Sequence, residues 1–304
     1  MSVAADIKAM PAAERWAGVG AYVELTKARL AMLVLVTTAV GFFVGHDRPM
    51  TARSFLLLAH LIAGTGLLAA GAMTLNQYLE RGTDALMHRT MKRPLPSGRI
   101  APVDALAFGT LLSIGGLLYL LLLVNALTAA LGGLTIASYL FAYTPLKSRT
   151  TLCTIVGAVP GALPPMMGYA AARHAVDERA WALFAILFVW QMPHFLAIGW
   201  LYREDYARGR QMMLPVLDPS GRATARQMLV FSLTLLPVTL APTLIGMAGV
   251  GYFIGAAVLG IAFFAFAAML AAARTTAAAR QMFLVSVVYL PLLLGLMVVD
   301  RVSA

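Results

Sequence analysis

The amino-acid sequence predicts an all-α, polytopic membrane protein, a bundle of about nine transmembrane helices. Of its 304 residues, 61% are hydrophobic and only 12% are charged, which is far outside the range of soluble globular domains. Apolar stretches also reach, again and again, the roughly 18 to 20 residues that a helix needs to cross a bilayer, whereas a β-barrel has short alternating strands. The expected spans are residues 27–46, 54–80, 103–123, 126–143, 152–172, 180–200, 227–247, 250–272 and 281–299.

We expect the nine spans to form a single domain over residues 1–304, preceded by a short cytoplasmic segment, residues 1–25. That segment has charged residues and no long apolar core, so it does not resemble a cleavable signal peptide. The single cysteine, Cys153, excludes an internal disulfide and a cysteine-rich metal site.

The basic residues predict the orientation of the bundle. Alternating the loops of nine spans puts 18 of the 23 Lys and Arg residues on one side, including Lys8, Arg15, Lys27 and Arg29. Because loops rich in Lys and Arg stay in the cytoplasm, that side is expected to be cytoplasmic, and the protein is expected in the bacterial inner membrane. The net charge of +10 is therefore explained by topology and lipid contact and not by nucleic acid.

Small residues and prolines inside the spans predict how the helices pack. The pairs Gly157 with Gly161 and Gly251 with Gly255 have the spacing of helix packing contacts. The fifth span carries three prolines, each of which removes a hydrogen-bond donor and is expected to break or bend the helix. They are Pro160, Pro164 and Pro165.

A stripe of oxygen-bearing side chains ends the second span. Asn76, Glu80 and Asp84 are four residues apart, so in a helix each is turned about 40° from the last and raised about 6 Å. Carboxylates at membrane depth require a compensating partner. Mg²⁺ is a suitable one, because it prefers oxygen ligands and commonly bridges carboxylates to phosphate oxygens.

Basic side chains follow the stripe at once and recur in two further loops on the same side. Such donors suit phosphate oxygens, so stripe and bases together predict a site for a metal-bound diphosphate. The alternative is an ordinary interfacial loop whose acids pair with neighbouring bases. The bases are Arg89, Lys92, Arg93 and Arg99 after the stripe, Lys147 and Arg149 in the second loop, and Arg203, Arg208 and Arg210, beside the acids Glu204 and Asp205, in the third.

Six ordered motifs resemble the UbiA prenyltransferase superfamily, in the form of its heme-modifying branch, over nearly the whole chain. The acidic stripe with Met87, Arg89, Thr90, Arg93 and Pro94 is similar to the first acidic motif of that superfamily. The other motifs are TKARL at 26–30, YTPLKSRT at 143–150, GAVPGALPPMMGY at 157–169, WQMPHF at 190–195 and YREDYARGRQMMLP at 202–215. The second acidic motif is reduced to Glu204 and Asp205, of which Asp205 is the preferred ligand, and Ala28 replaces a proline that is frequent in relatives.

The resemblance implies a Mg²⁺-dependent transfer of the farnesyl group of farnesyl diphosphate to the 2-vinyl group of heme B, with addition of water. It implies metal ligands at Asn76, Glu80, Asp84 and Asp205, with Asp84, Lys147 and Asp205 central to catalysis. The diphosphate is expected to contact Arg89, Arg93, Lys147 and Arg203. A heme A synthase or a cytochrome oxidase assembly protein is the expected partner.

His194, in WQMPHF near the end of the sixth span, is the candidate for contact with heme, because imidazole can ligate iron axially. A histidine that only hydrogen-bonds inside the bundle, or that touches the diphosphate, is the plain alternative. Trp190 and the methionines at 166, 167, 212 and 213 could flank a porphyrin, but core or lipid-facing roles are more typical of such residues.

Two other functions are compatible with parts of the pattern. One is a different prenyltransferase of the same superfamily, acting for instance on 4-hydroxybenzoate or a chlorophyll precursor. The other is a secondary transporter, since broken helices and intramembrane acids also mark ion-coupled carriers. Carriers place those acids near the bilayer midplane between repeats, whereas here they gather at the rim and no inverted repeat is detected.

Overall fold

The computed structural model describes residues 12–302, and this part of the chain contains nine helices of membrane-spanning length. The predicted all-α bundle is confirmed. A shorter helix, α1 (Ala12–Leu25), precedes them, while residues 1–11, with the predicted cytoplasmic Lys8, lie outside the described part. The spans are α2 (Ala28–Gly45), α3 (Ala52–Asp84), α4 (Pro102–Leu123), α5 (Ala126–Leu146), α6 (Cys153–Arg173), α7 (Glu178–Leu201), α10 (Arg222–Leu244), α11 (Val250–Ala273) and α12 (Thr276–Val299), and the short helices α8 (Arg203–Arg208) and α9 (Leu214–Leu217) lie between α7 and α10.

Most predicted boundaries lie within two or three residues of the observed ones, but three helices are longer or begin earlier than expected. Helix α3 continues to Asp84, so the whole acidic stripe is helical. Helices α10 and α12 begin at Arg222 and Thr276, five residues before the predicted starts. An apolar window misses such first turns because they are amphipathic.

Polar side chains set several helix starts. The Thr51 hydroxyl accepts from the Ser54 backbone N–H, and the Ser54 hydroxyl accepts from the Thr51 backbone N–H. The two bonds form a complete capping box. Asn125 and Thr275 each accept one N–H of the first turn of their helices. Asp177 accepts two, from Arg179 and Ala180. These caps satisfy donors that the first turn of a helix leaves unpaired.

Helix α6 lies at the centre of the bundle and packs against α2, α5 and α7. About 72% of its span is buried, against 22% for the peripheral α4. The approach of α2 is close enough that a Cβ at Gly41 would lie 1.9 Å from the Pro165 carbonyl oxygen, and one at Gly168 equally near the Thr38 oxygen. Backbone contact of this kind substitutes for side-chain packing between membrane helices.

The glycine pairs predicted from spacing do lie in contacts, but the prolines of α6 do not interrupt it. A Cβ at Gly161 would collide with Gln191, and one at Gly255 with Leu296. The helix is continuous from Cys153 to Arg173, so of the two predicted effects of its prolines a break does not occur. The Gln191 side-chain amide of α7 donates to the Ala158 carbonyl of α6 at 3.4 Å and so joins the two helices.

Candidate active site

The acidic stripe of α3 lies inside the bundle, near one end of it. Asn76 and Asp84 are 1% exposed and Glu80 is 8% exposed, although the stripe is within about two and a half turns of the end of the helix. A position near one end does not match the midplane acids of a carrier. Burial this deep requires a partner for each polar group.

Each member of the stripe has a basic partner from another part of the chain. Lys147 Nζ lies 2.6 Å from Glu80 Oε1, and Arg93 Nη1 lies 2.7 Å from Asp84 Oδ2. Lys27 Nζ donates to Asn76 Oδ1 at 3.2 Å. We call the set of Lys27, Asn76, Glu80, Asp84, Arg93 and Lys147 the acid–base cluster.

Each carboxylate of the stripe uses only one oxygen in these pairs. Among the described residues, no side chain or backbone group donates to Glu80 Oε2 or Asp84 Oδ1, and neither oxygen is completely buried. Two hard oxygen atoms with vacant lone pairs, one helical turn apart, fit the coordination chemistry of Mg²⁺. Within residues 12–302, no group of three or more His, Cys, Asp or Glu side chains has the geometry of an all-protein metal cage. An ion here therefore needs water or a ligand to complete its shell.

Lys27 is the member of the cluster to which sequence analysis gave only a topological role. It precedes α2 with a left-handed backbone, φ 47° and ψ 52°, which is uncommon for a residue with a side chain. Burial, then the nearby guanidinium of Arg93, lowers the pKa of Lys27 to about 7. The sequence signal for a place in the cluster was the TKARL motif, because a lysine directly before an apolar span is unfavourable in contact with lipid.

Lys147 follows α5 directly, four residues beyond a π-helical segment, Ser138–Tyr143, that interrupts this helix. The wide turn is held by Thr144, whose backbone N–H and hydroxyl both donate to the Tyr139 carbonyl. Pro145, which cannot donate, follows directly. The ammonium also lies 4.5 Å from the centroid of the Tyr143 ring, a cation–π contact. This segment was not predicted from the sequence. π-bulges are frequent at functional sites.

The ionic state of Lys147 follows from its surroundings. Burial disfavours its charge, but the carboxylate of Glu80 outweighs burial and holds the pKa of Lys147 well above its ordinary value. Lys147 therefore remains cationic while it faces Glu80.

The third loop docks on the end of the stripe through Asp205. Its two carboxylate oxygens accept the backbone N–H groups of His88, at 3.2 Å, and Arg89, at 3.0 Å, and Arg208 donates to it at 3.1 Å. Partial burial raises the pKa of Asp205, but these backbone bonds outweigh it and lower the pKa. Asp205 thus joins the segment after α3 to helix α8, a structural task that sequence analysis did not foresee.

The remaining predicted diphosphate contacts lie on this outer loop. Arg89 donates to the Tyr206 hydroxyl at 3.2 Å and stacks over Tyr202 at 4.8 Å. Arg203 and Glu204 are exposed, and neither makes a side-chain hydrogen bond to another described residue. The structure therefore brings Lys147 and Arg93 to the stripe and leaves Arg89 and Arg203 at its outer margin.

A cavity of about 300 Å³ opens beside Glu80 and Lys147. Its polar wall includes Thr144 and Gln211, and its remaining wall is apolar. The site thus has a charged half and an apolar half, as an amphipathic substrate requires. The apolar lining consists of Leu79, Leu140, Phe141 and Pro145.

His194 lies on α7 away from the acid–base cluster and makes no contact with it in the structure. Its Nδ1 lies 2.7 Å from the Ser286 hydroxyl of α12. Trp190 and Phe283 flank the imidazole at centroid distances of 4.9 and 5.3 Å. Met166 and Met167, at 2% and 1% exposure, are core residues, which agrees with the plainer of their two predicted roles.

The fold and the site define a class, a membrane-spanning helical bundle that buries paired acids and bases near one end, with a partly apolar cavity beside them. The UbiA prenyltransferase family model matches residues 34–290, and the chain belongs to the UbiA prenyltransferase family. The resemblance seen in the sequence is thereby confirmed.

Two curated relatives are similar to this chain over most of its length. The chain is 50% identical to the protoheme IX farnesyltransferase of Solibacter usitatus over 286 residues, covering 92% of this chain and 98% of the relative. Identity to the enzyme of the same name from Koribacter versatilis is 44%, with 92% and 93% covered.

Solved structures share the fold at low identity. A digeranylgeranylglyceryl phosphate synthase superposes with a TM-score of 0.78 at 16% identity, covering 93% of this chain and 98% of that one. A UbiA homolog from Archaeoglobus fulgidus, bound to GPP and Mg²⁺, gives 0.62 at 12% identity, with 91% and 99% covered. At these identities the likeness concerns the fold alone.

Proposed function

We propose that this protein transfers the farnesyl group of farnesyl diphosphate to the 2-vinyl group of heme B, with addition of water, giving heme O and diphosphate. The observation that carries the proposal is the acid–base cluster, in which two buried carboxylates keep one free oxygen each and Glu80 lines a half-apolar cavity. Relatives with 50% and 44% identity over nearly their whole length are named protoheme IX farnesyltransferase, which supports heme as the acceptor.

We infer that Asn76, Glu80, Asp84 and Asp205 would hold Mg²⁺. The free oxygens of Glu80 and Asp84 are the best placed of the four, while Asp205 already accepts two backbone bonds and has only its remaining lone pairs to offer. When bound, the ion would supply positive charge against a departing diphosphate.

The chain itself supplies the rest of the electrostatics. Arg93 and Lys147 each pair with one carboxylate of the stripe, while Lys27 donates to the neutral side chain of Asn76. An arriving diphosphate would meet these three hydrogen-bond donors already in place. Donors fixed before the reaction stabilise developing charge without reorganising. Departure of diphosphate leaves an allylic cation, which the vinyl carbon attacks, and water then captures the resulting cation. The steps require no protein nucleophile.

Different basic residues are proposed to serve the first binding of the substrate and the catalytic step. Arg89 and Arg203 at the outer margin would meet the diphosphate first, and Lys147 and Arg93 would hold it in place for bond cleavage. The apolar half of the cavity, around Leu140 and Phe141, would take the first isoprene units. His194 is the proposed contact for heme.

The basic end of the bundle is proposed to face the cytoplasm, by the charge bias of its loops, in a bacterial inner membrane. A product that stays in the bilayer suits direct transfer to a membrane partner such as a heme A synthase.

Purified protein in detergent, incubated with heme B, farnesyl diphosphate and Mg²⁺ with and without EDTA, tests the proposal. We expect a new porphyrin with the mass of hydroxyethylfarnesyl heme, formed only with free Mg²⁺ and identified by chromatography and mass spectrometry. Unchanged heme from folded protein would refute heme as the acceptor, and other aromatic acceptors would then be assayed in its place. A product formed equally well in EDTA would refute the metal site.

A further inference from the structure

A chain of three polar groups connects helices α7 and α12. His194 Nδ1 lies 2.7 Å from Ser286 Oγ, and Ser286 Oγ donates to the Phe283 carbonyl at 2.6 Å. A third bond runs alongside, from the Trp190 indole N–H to the Ser286 carbonyl at 3.0 Å. The two helices are thus braced at the position of the imidazole.

The number of protons in this chain determines which nitrogen of His194 carries hydrogen. A serine hydroxyl has one hydrogen and can donate only once. If that hydrogen is given to Phe283, the contact with His194 is made by an imidazole Nδ1–H donating to Oγ, and two bonds form. If the hydroxyl donates to Nδ1 instead, only one bond forms. The arrangement with two bonds is the more stable.

We infer that Ser286 holds His194 in its Nδ1–H tautomer and that the bare Nε2 is the axial ligand of the heme iron, with Ser286 as its positioning residue. The inference rests on the proposed function, which provides heme as the substrate. Histidines that ligate metals commonly donate their second ring N–H to a fixed acceptor, which orients the ring and makes the ligand more basic.

The surroundings of the ring leave one edge for a ligand. Trp190 lies nearly parallel to the imidazole, at an interplanar angle of 20°, and Phe283 lies at 29° on it, so the faces of the ring are occupied. The Nδ1 edge meets Ser286. Nε2 makes no hydrogen bond with any residue in 12–302, and the side chain is only partly buried. A metal approaches imidazole in the plane of the ring, at this remaining edge.

The depth of His194 suits a porphyrin. It is seven residues before the end of α7 at Leu201, about 10 Å along the helix. The rings beside it, Trp190, Phe195 and Phe283, give it apolar surroundings. The end of α7 towards which it lies is the end that carries the acid–base cluster.

The test is the optical and resonance Raman spectrum of heme B added to the purified full-length protein, without farnesyl diphosphate. We expect a histidine-ligated spectrum from the unchanged protein and its loss in His194→Gly, with recovery when imidazole is added. In Ser286→Ala we expect heme affinity to fall about tenfold and the iron–histidine vibration to shift. Ser286→Thr keeps a hydroxyl and should restore both.

Ser113→Ala is the matched control, because the Ser113 hydroxyl also donates to a carbonyl of its own helix but has no histidine partner. It should leave the heme spectrum and affinity unchanged. A spectrum in His194→Gly equal to that of the unchanged protein overturns the ligand assignment. An unshifted vibration in Ser286→Ala overturns the role of Ser286.

The outcome is separable from that of the proposed function. Protein that makes heme O but binds heme identically with and without His194 would refute this inference alone. Protein that binds heme through His194 yet never alkylates it with farnesyl diphosphate would refute the proposed function and leave the axial ligand standing.

Discussion

The two ends of the bundle both contain acidic side chains paired with basic ones. They differ in whether the carboxylates keep an unpaired oxygen. At the end opposite the acid–base cluster, Asp47 lies between Arg173 and Arg179 and pairs through both carboxylate oxygens. Arg179 also donates to the Gly246 carbonyl, and Tyr169 donates to Asp177 at 2.7 Å. We call this set of five side chains, Asp47, Tyr169, Arg173, Asp177 and Arg179, the far-end latch.

The polar groups of the far-end latch pair with one another, whereas the acid–base cluster keeps a free oxygen on Glu80, which lines the cavity, and another on Asp84. Ion pairing by itself is therefore not a sign of function in this protein. A carboxylate with both oxygens paired ties helices together. A carboxylate with one oxygen paired is positioned and still able to bind.

The largest expected effect is the loss of turnover in Asp84→Asn. The amide keeps one oxygen to accept the Arg93 hydrogen bond, so the protein should fold, but an NH2 group replaces the free carboxylate oxygen and the negative charge is lost. We therefore expect turnover to fall at least about a hundredfold. Heme O production per folded protein measures it. Asp104→Asn, an exposed carboxylate at the start of α4, is the control. Near-normal turnover in Asp84→Asn would disprove the metal stripe.

The pair of Glu80 and Lys147 should act as one unit. We expect Glu80→Gln and Lys147→Met each to lower turnover about ten- to a hundredfold, and the double variant to lose less than the product of the two, because either change already breaks the pair. A double-mutant cycle on the initial rate measures the coupling. Arg280→Met, on an exposed side chain near the start of α12 at the same end, should have no effect. Fully multiplicative losses would show that the two residues act independently.

A change in the far-end latch should lower stability and leave turnover unchanged. Asp47→Asn removes a charge shared by two guanidinium groups, and since these are partly exposed we expect a loss of only about 1 kcal/mol, seen as a lower midpoint of thermal unfolding in detergent. Turnover of the folded fraction should stay unchanged. A variant that is stable but inactive would contradict the division of labour between the two ends.

The smallest effect concerns a carboxylate that lies at the site end without belonging to the cluster. Asp218 accepts from the backbone and hydroxyl of Thr224, at 2.8 and 3.0 Å, and from Ser220. Burial raises the pKa of Asp218, but these bonds outweigh it and lower the pKa.

A lowered pKa in the folded protein means that the unfolded chain takes up the proton first as pH falls. The stabilising contribution of Asp218 is therefore complete above the ordinary aspartate pKa and is lost as pH falls through the folded value. Asp218→Asn should cost about 0.5 kcal/mol near neutral pH and flatten the acid limb of a stability curve, with turnover unaltered. An acid limb of unchanged steepness would refute this assignment.

Much of the fold followed from the sequence because a bilayer restricts the chain so strongly. Apolar length alone located the nine spans, and a four-residue spacing put Asn76, Glu80 and Asp84 on one helix. Which base meets which acid could not be obtained that way. Glu80 and Lys147 are 67 residues apart, and their contact depends on how α3 and α5 pack.

The same limit applies to local backbone geometry. The left-handed Lys27 has no glycine or asparagine signal to announce it, and the sequence around Asp205 does not indicate that it accepts two backbone N–H groups from a segment more than a hundred residues earlier. The bond between His194 and Ser286 likewise spans 92 residues. Long-range pairs of this kind require the assembled structure.

The π-helical turn at Ser138–Tyr143 has a consequence for the direction of everything that follows it. A π turn contains about one residue more than an α turn, so the residues beyond it are rotated by roughly 100° about the helix axis from the phase of an unbroken α-helix. Lys147 points at Glu80 because of that one inserted position. Excising a single residue from the segment would leave the length and polarity of the span almost untouched and would swing the ammonium towards lipid. A spacing error of one residue, invisible to any measure of hydropathy, is enough to disassemble the site.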